Sequence, residues 1–465
     1  MISGLYTDFY ELTMAQGYFA SGKWQKQACF DYFFRTQPFH GGYAQFAGLQ
    51  DLLDYLPEFR FGAPQIDYLK RQGFADSFLN YLEDFQFTGT MMSVQEGETV
   101  FPNEPILRVE GNILETQLLE TLVLNFLNFE TLIATKARRL KWSAGERTVI
   151  DFGLRRAQGL GGIHASRAAI LGGVESTSNV FSAMKFDVRP TGTMAHSWVE
   201  SFESELEAFR VFARIFPERS VFLVDTYDTL RSGVPNAITV AKEMESSGHR
   251  LRAVRLDSGD LAYLSKQTRA MLDKSGLKHV QITVSNQLDE HIIKSLLEQG
   301  APIDVFGVGT SLVTGKEDAA LDGVYKLSEF DGQPKLKISE NIEKVLLPGR
   351  KKIFRYYDSD NNFFADAVLL VDEHEIDHMV HPLHPLKQLD LRGLKKEELL
   401  RPVWNNGSPL ISRQSPYLIA DFAASRLEQL PPEHKRFEYP HVYKVGISDK
   451  LRQLRDKLIK AKAGT

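Results

Sequence analysis

Between residues 221 and 310 the chain repeats one unit about every 25–30 residues: a short β-branched or apolar run ending in a small or polar residue, then a helical stretch. The runs are 221–225, 253–257, 280–284 and 303–307, and an earlier one of the same character lies at 148–153. Successive βα units make parallel strands, which either close into a barrel or open into a doubly wound sheet. In both, chemistry gathers at the carboxyl ends of the strands. Asp225, Asp257, Ser285 and the loop 307–310 stand at those ends.

The flanking segments read differently. Residues 7–16 carry a capping residue and early acids and predict a helix, and the aromatic alternation of 28–34 predicts a strand. A hairpin is expected over 99–110, turning at Pro102 and Asn103, followed by a long apolar helix over 114–138 interrupted only by Asn125 and Asn128. After Gly323 the pattern predicts strands at 335–338, 353–357 and 367–371 without helices between, then a basic helical tail at 449–462. With 43% hydrophobic and 25% charged residues the chain can bury a large core. Its 55 basic and 60 acidic residues leave a net charge of -5, which argues against a dedicated nucleic-acid binder and leaves room for a local basic pocket. The single cysteine, Cys29, excludes a disulfide framework and a cysteine zinc site and fits a reducing compartment. With no long apolar run and no leader-like start, the expectation is a cytoplasmic enzyme without a membrane span.

Several motifs compete for attention. His374-Glu375-Ile376-Asp377-His378 fits HExxH, with His384 where a third zinc ligand would lie. That motif needs a helix to place both histidines on one face. Here it directly follows a strand-like run and is trailed by Pro382 and Pro385, so a non-helical histidine-rich loop is expected. Residues 358–362 open like an EF-hand loop, but Phe363 replaces the required glycine and Leu369 the bidentate glutamate, leaving a polar turn. Gly307-Val308-Gly309-Thr310 lacks the third glycine of a dinucleotide fingerprint, yet bare amides after a buried strand suit either a phosphate cradle or a plain tight turn. Arg255-Leu256-Asp257-Ser258-Gly259-Asp260 puts an arginine in a strand and two aspartates at its end. An internal ion pair and a helix cap account for the acids better than for the arginine. His196 sits in a small-residue loop, and Arg155 and Arg156 follow a strand. Either position is open to a structural reading or to anion binding.

Taken in order, these segments resemble nicotinate phosphoribosyltransferase, a type II phosphoribosyltransferase. The resemblance rests on residues 6–14, 151–159, 165–169, 172–180, 192–197, 224–229, 255–260 and 306–310, and covers the chain from residue 6 to about 350. Glu175 departs from it, standing where the pattern has aspartate, and the tail beyond about residue 390 matches no motif. The resemblance implies an α/β protein. An N-terminal α/β domain with the long helix (1–135) precedes an irregular (β/α) barrel of the type II kind carrying the site (136–325). A β-rich element with a helical tail (326–465) packs on the N-terminal domain. It further implies a homodimer with shared active sites. The implied reaction is nicotinate, 5-phosphoribosyl 1-diphosphate (PRPP) and ATP giving nicotinate mononucleotide, diphosphate, ADP and phosphate, in NAD salvage. On the matching positions, Tyr10 from the partner subunit and Phe152 would sandwich the pyridine ring, and Thr193 and Arg255 would meet its carboxylate. Gly307, Gly309 and Thr310 would hold the 5-phosphate, and His196 would be the histidine phosphorylated by ATP.

Elementary chemistry agrees. Loss of diphosphate from an anomeric carbon develops positive charge that a carboxylate stabilises, and Asp257 is the candidate, with Mg²⁺ near it carried by the diphosphate. Arg155 would stabilise the departing diphosphate, and Asp225 would orient His196. Two other activities stand against this reading. One is a nicotinamide phosphoribosyltransferase, which handles an amide in place of the carboxylate, and the other is a zinc protease built on the HExxH match.

Overall fold

A computed structural model describes residues 3–338, 346–384 and 386–463. Pro385, part of the histidine-rich stretch, lies outside the described residues. The chain divides into two compact units. Unit 1 comprises Met1–Leu132, Ala320–Gln414 and Phe422–Thr465, and unit 2 comprises Ile133–Ala319 and Ser415–Asp421.

Unit 2 is built from the βα repeat. Its six strands run parallel in the order Ser176–Thr177, Thr148–Asp151, Val305–Val308, Gln281–Val284, Ala253–Leu256, Val221–Leu223. The first and last of these are not paired with each other among the described residues, so the sheet is an incomplete barrel. Phe222, Val254, Leu256, Ile282, Val284, Phe306 and Val308 are all fully buried, as parallel strands covered on both faces require. Helices return the chain between strands and start on side-chain caps: Asp260 accepts from the Tyr263 N–H ahead of Leu261–Lys274, and Asp289 from His291 and Ile292 ahead of Glu290–Glu298. Register aligns the strand ends, with Val308 opposite Asp151 and Val284 opposite Leu256. Every loop that follows these strands therefore leaves from one edge of the sheet.

Unit 1 contains a seven-stranded antiparallel sheet, with Gln27–Phe34 between Gly323–Phe330 and Leu107–Asn112, and a six-stranded mixed sheet centred on Val445–Ile447 and Phe363–Leu370. The expected hairpin at 99–110 does not form. Thr99–Val100 pairs with Ala44–Gln45, while Leu107–Asn112 is claimed along its length by Gln27–Phe34 and along its first four residues by Thr90–Ser93. The turn at Pro102 and Asn103 is real, with Asn103 at φ 68 and the buried Glu104 carboxylate accepting from Phe101 N–H, but it redirects the chain instead of folding it back. Residues 335–338 are not a strand; the edge strand there is Gln333–Pro334, and after it, among the described residues, only the Lys335 N–H still bonds across, to Ser328 O at 2.8 Å.

The long apolar helix breaks at Leu118 and Leu119 into Ile113–Gln117 and Glu120–Ala144. By length and composition Ile113–Ala144 passes as a membrane span, contrary to the sequence expectation. Yet 72% of its apolar window is buried inside the protein, and its second half carries buried cations. Lys136 Nζ and Arg139 Nε each stand 2.7 Å from the Glu290 carboxylate. Burial pushes Glu290 up, but the two cations outweigh it and hold its pKa below the usual carboxylate value. This is a core helix.

The HExxH residues form no helix: 374–377 is irregular, and His378 opens the strand His378–Val380 with Nε2 2.7 Å from Asp449 Oδ2. Residues 358–362 form the expected polar turn, with Asp358 Oδ1 accepting from the Asp360 and Asn362 N–H groups.

Candidate active site

Arg255 is the organising residue of unit 2. It sits on Ala253–Leu256, one residue before the strand ends, with its side chain 13% exposed. Nε donates to Ser285 Oγ at 2.8 Å, Nη1 to Thr193 Oγ1 at 2.9 Å and Nη2 to Asp257 Oδ1 at 2.9 Å. A guanidinium has five N–H groups, so these three bonds leave one on each terminal nitrogen, the pair that grips a carboxylate or phosphate edge. The cation also lies 5.3 Å from the centre of the Phe152 ring. Phe152 follows Thr148–Asp151, its N–H bonded to Val308 O, and its ring packs on Gly307, where an added Cβ would stand 2.5 Å from the ring carbons. Glycine at 307 is thus what admits the aromatic floor.

Beneath that floor is a buried polar knot. Asp151 Oδ2 accepts from Ser166 Oγ at 2.8 Å and Thr177 Oγ1 at 2.7 Å, and Oδ1 accepts from Gly153 N–H at 2.7 Å. Burial raises the Asp151 pKa, and these three bonds oppose the rise. Glu175, the departure from the family pattern, has a structural role here: one oxygen meets Lys141 Nζ at 2.6 Å and the other accepts from Val149 N–H at 2.8 Å.

The acidic side of the site is Asp257. Its Oδ1 accepts from both Ser285 Oγ and Arg255, and its Oδ2 lies 3.9 Å from His196 Nε2. His196, 40% exposed, opens the short helix His196–Glu200, and its Nδ1 is 3.1 Å from Thr226 Oγ1. The expectation that Asp225 orients His196 is therefore corrected: Thr226 does. Asp225 Oδ2 instead accepts from the Asp257 N–H at 2.8 Å and from Ser258 Oγ at 2.6 Å, bracing the loop that carries Asp257. Gly259 completes that loop at φ 77, a conformation that costs other residues strain. The other Asp225 oxygen is buried and has no hydrogen-bond partner.

Arg155 and Thr310 are both exposed, in the loops after Thr148–Asp151 and Val305–Val308, which pair directly. Structure thus collects Phe152, Thr193, Arg255, Asp257 and His196 into one cluster and places Arg155, Gly309 and Thr310 on the same sheet edge. Tyr10 belongs to unit 1, on Phe9–Ala20, where it is 45% exposed beside exposed Tyr6, Phe9 and Met14. Partial burial and Glu120 raise its pKa and keep the phenol neutral. Sequence reasoning left Ser285 and Thr226 without roles; each is a hydroxyl at or just after a strand end, which was the available signal. A cavity of about 760 Å³ in unit 1, walled by Met379, Leu389 and Val445, contains none of these residues. Glu290, His291 and Glu317 converge closely enough for a cation, but Glu290 is already neutralised by Lys136 and Arg139.

Comparison with known proteins follows the same order along the chain. Residues 5–128 match the nicotinate phosphoribosyltransferase (NAPRTase) N-terminal domain, 148–369 the NAPRTase family and 350–455 the C-terminal domain. The nicotinate phosphoribosyltransferase of Bacillus subtilis is 42% identical over 460 residues, covering 96% of this chain and 93% of that protein. One from Mycobacterium tuberculosis is 41% identical over 457 residues, covering 97% and 92%. The crystal structure of human nicotinic acid phosphoribosyltransferase superposes with a TM-score of 0.87 at 32% identity, over 97% of this chain and 99% of that one. A nicotinate-nucleotide pyrophosphorylase from Pyrococcus furiosus, at 22% identity and TM-score 0.72, shares the fold.

Proposed function

The chain belongs to the nicotinate phosphoribosyltransferase family and is an enzyme of NAD salvage from nicotinate, and we propose the following division of labour among its residues. The carrying observation is Arg255, whose three internal bonds leave one N–H on each terminal nitrogen, next to the Phe152 ring. Nicotinate lies on Phe152 with its carboxylate on that pair of N–H groups, beside Thr193, whose hydroxyl oxygen steadies Nη1. Its ring nitrogen attacks the anomeric carbon of PRPP as the bond to diphosphate breaks. Asp257 stabilises the positive charge that develops on the ribose. The backbone at Gly307 and Gly309, with Thr310, holds the 5-phosphate, and Arg155 meets the departing diphosphate.

Mg²⁺ fits this arrangement. The buried, unpartnered oxygen of Asp225 and the Asp257 carboxylate offer hard oxygen ligands, and Mg²⁺ characteristically takes one or two carboxylates with substrate phosphates supplying the rest. Bound there, the ion would neutralise charge on the diphosphate. ATP serves as co-substrate by phosphorylating His196, which is exposed enough to receive it. The active form is a cytoplasmic homodimer. Two exposed apolar groups support a second copy: Tyr6, Phe9, Tyr10 and Met14 in unit 1, and Leu160, Val180, Phe181 and Met184 in unit 2.

Mononucleotide formation from nicotinate and from nicotinamide, with and without ATP, tests the reading; preference for the amide would refute it. Arg255→Lys tests its centre. An ammonium cannot offer two parallel N–H groups, so the KM for nicotinate should rise by the ~1.5–3 kcal/mol of a charge-assisted hydrogen bond, at least tenfold. Wild-type kinetics in that variant would make Arg255 structural. Treatment with a zinc chelator followed by Mg²⁺ should leave turnover intact, since His378 is held by Asp449 on a strand. Loss of activity restored only by zinc would bring the HExxH reading back.

A further inference from the structure

We infer that Ser285 is a positioning residue that sets the docking register of the substrate carboxylate on Arg255; the inference rests on the assignment of that carboxylate to Arg255. Ser285 follows Gln281–Val284 and is 3% exposed. Its hydroxyl has one proton and two lone pairs, and both functions are used: Oγ donates to Asp257 Oδ1 and accepts from Arg255 Nε. An arginine offers two edges to a carboxylate, one made of Nε and a terminal nitrogen, the other of the two terminal nitrogens. Ser285 and Asp257 together fill the first edge, and only the second remains for a ligand. A substrate carboxylate is thereby confined to one register, and the ring attached to it to one placement over Phe152.

The backbone around Ser285 is built to hold that hydroxyl in place. Its N–H bonds to Leu256 O at 3.0 Å, fixing it to the strand that carries Arg255. The next residue, Asn286, is not glycine yet sits at φ 114, and its carbonyl accepts from Leu288 N–H at 2.8 Å. Strained backbone of this kind persists where the surroundings over-determine it, and it concentrates at functional sites. On the other side, Ser285 Cβ stands 3.4 Å from where a side chain at Gly307 would begin, so the serine also closes the packing against the aromatic floor.

Removing the hydroxyl by Ser285→Ala frees Nε while Asp257 still holds Nη2, so the guanidinium loses the bond that fixes its rotation and the edge offered to nicotinate is no longer held in one register. The expected result is a KM for nicotinate raised about tenfold, a smaller fall in kcat, and a KM for PRPP changed by less than about threefold. Ser285→Thr, which keeps the hydroxyl, should restore much of the loss. Melting temperature, measured alongside, separates an unfolded variant from a mispositioned one. An unchanged KM for nicotinate in a folded Ser285→Ala protein overturns the inference, as does an equal rise in both KM values. Arg255→Lys in parallel separates the two readings. If that variant is impaired and Ser285→Ala is not, the role of Ser285 fails while the assignment of Arg255 stands. If Arg255→Lys has no effect, the assignment itself fails.

Discussion

A heterodimer assembled from Tyr10→Asp and Asp257→Ala chains is expected to show about half the wild-type turnover, although either variant alone is nearly inactive. Asp257→Ala removes the carboxylate proposed to stabilise the reacting ribose, and loss of one such electrostatic contact costs on the order of 10²–10³ in rate. Tyr10→Asp removes a ring stack of ~0.5–1.5 kcal/mol and sets a negative charge beside an anionic base, worth roughly 1–4 kcal/mol at contact distance. Tyr10 is 45% exposed, so the substitution leaves the core of unit 1 untouched. When each site takes Tyr10 from one chain and Asp257 from the other, the heterodimer has one site with both residues intact and one with neither. Co-expression with two different tags and purification through both isolates that species. Activity no higher than either parent would mean that Tyr10 serves the chain it belongs to, and the shared-site arrangement would be wrong.

The second large effect is expected at His196. His196→Ala should abolish ATP stimulation and incorporation of the γ-phosphoryl group, while a slow ATP-independent formation of mononucleotide continues. The separation follows from geometry. Arg255, proposed to hold the base, bonds Ser285, Thr193 and Asp257 and lies by the Phe152 ring, whereas the imidazole is held by Thr226 and faces Asp257 at 3.9 Å. Removing the ring leaves the Arg255 cluster assembled and takes away the proposed phosphoryl acceptor. Initial rates and KM values measured with and without ATP should coincide in the variant. Retained stimulation would place the acceptor elsewhere. Abolition of the ATP-independent rate as well would make His196 part of the displacement step.

Much of the site was visible along the chain because parallel βα units deliver their strand ends to one edge. Asp225 and Asp257 ended predicted strands, and Arg255 was an arginine where a strand should bury apolar residues. The roles were harder to read than the places. Asp225 was matched to His196 because carboxylates so often orient histidines, but a threonine one residue further on makes that contact, and Asp225 braces the Asp257 loop. Ser285 carried no signal beyond its position, since a serine at a strand end is equally at home as a cap or a turn.

What the sequence determined by itself is local and periodic: the spacing of the βα units, the cap at Asp260 and the failure of the HExxH stretch to be helical. Each depends on residues a few positions apart, so the chain carries the information in order. Tertiary structure decided the rest. Residues 107–112 left their expected hairpin because two longer strands compete for them, and the helix Pro416–Glu428 sends residues 415–421 into unit 2, where Tyr417 bonds Glu175 and Arg189 and the Ala420 carbonyl accepts from Arg138. The guanidinium of Arg255 acquires its register from Thr193 and Ser285, 62 and 30 positions away. Hydrogen bonds at those separations form only once the strands are packed side by side, which is why the candidate residues could be placed at strand ends from the chain and their pairing could not.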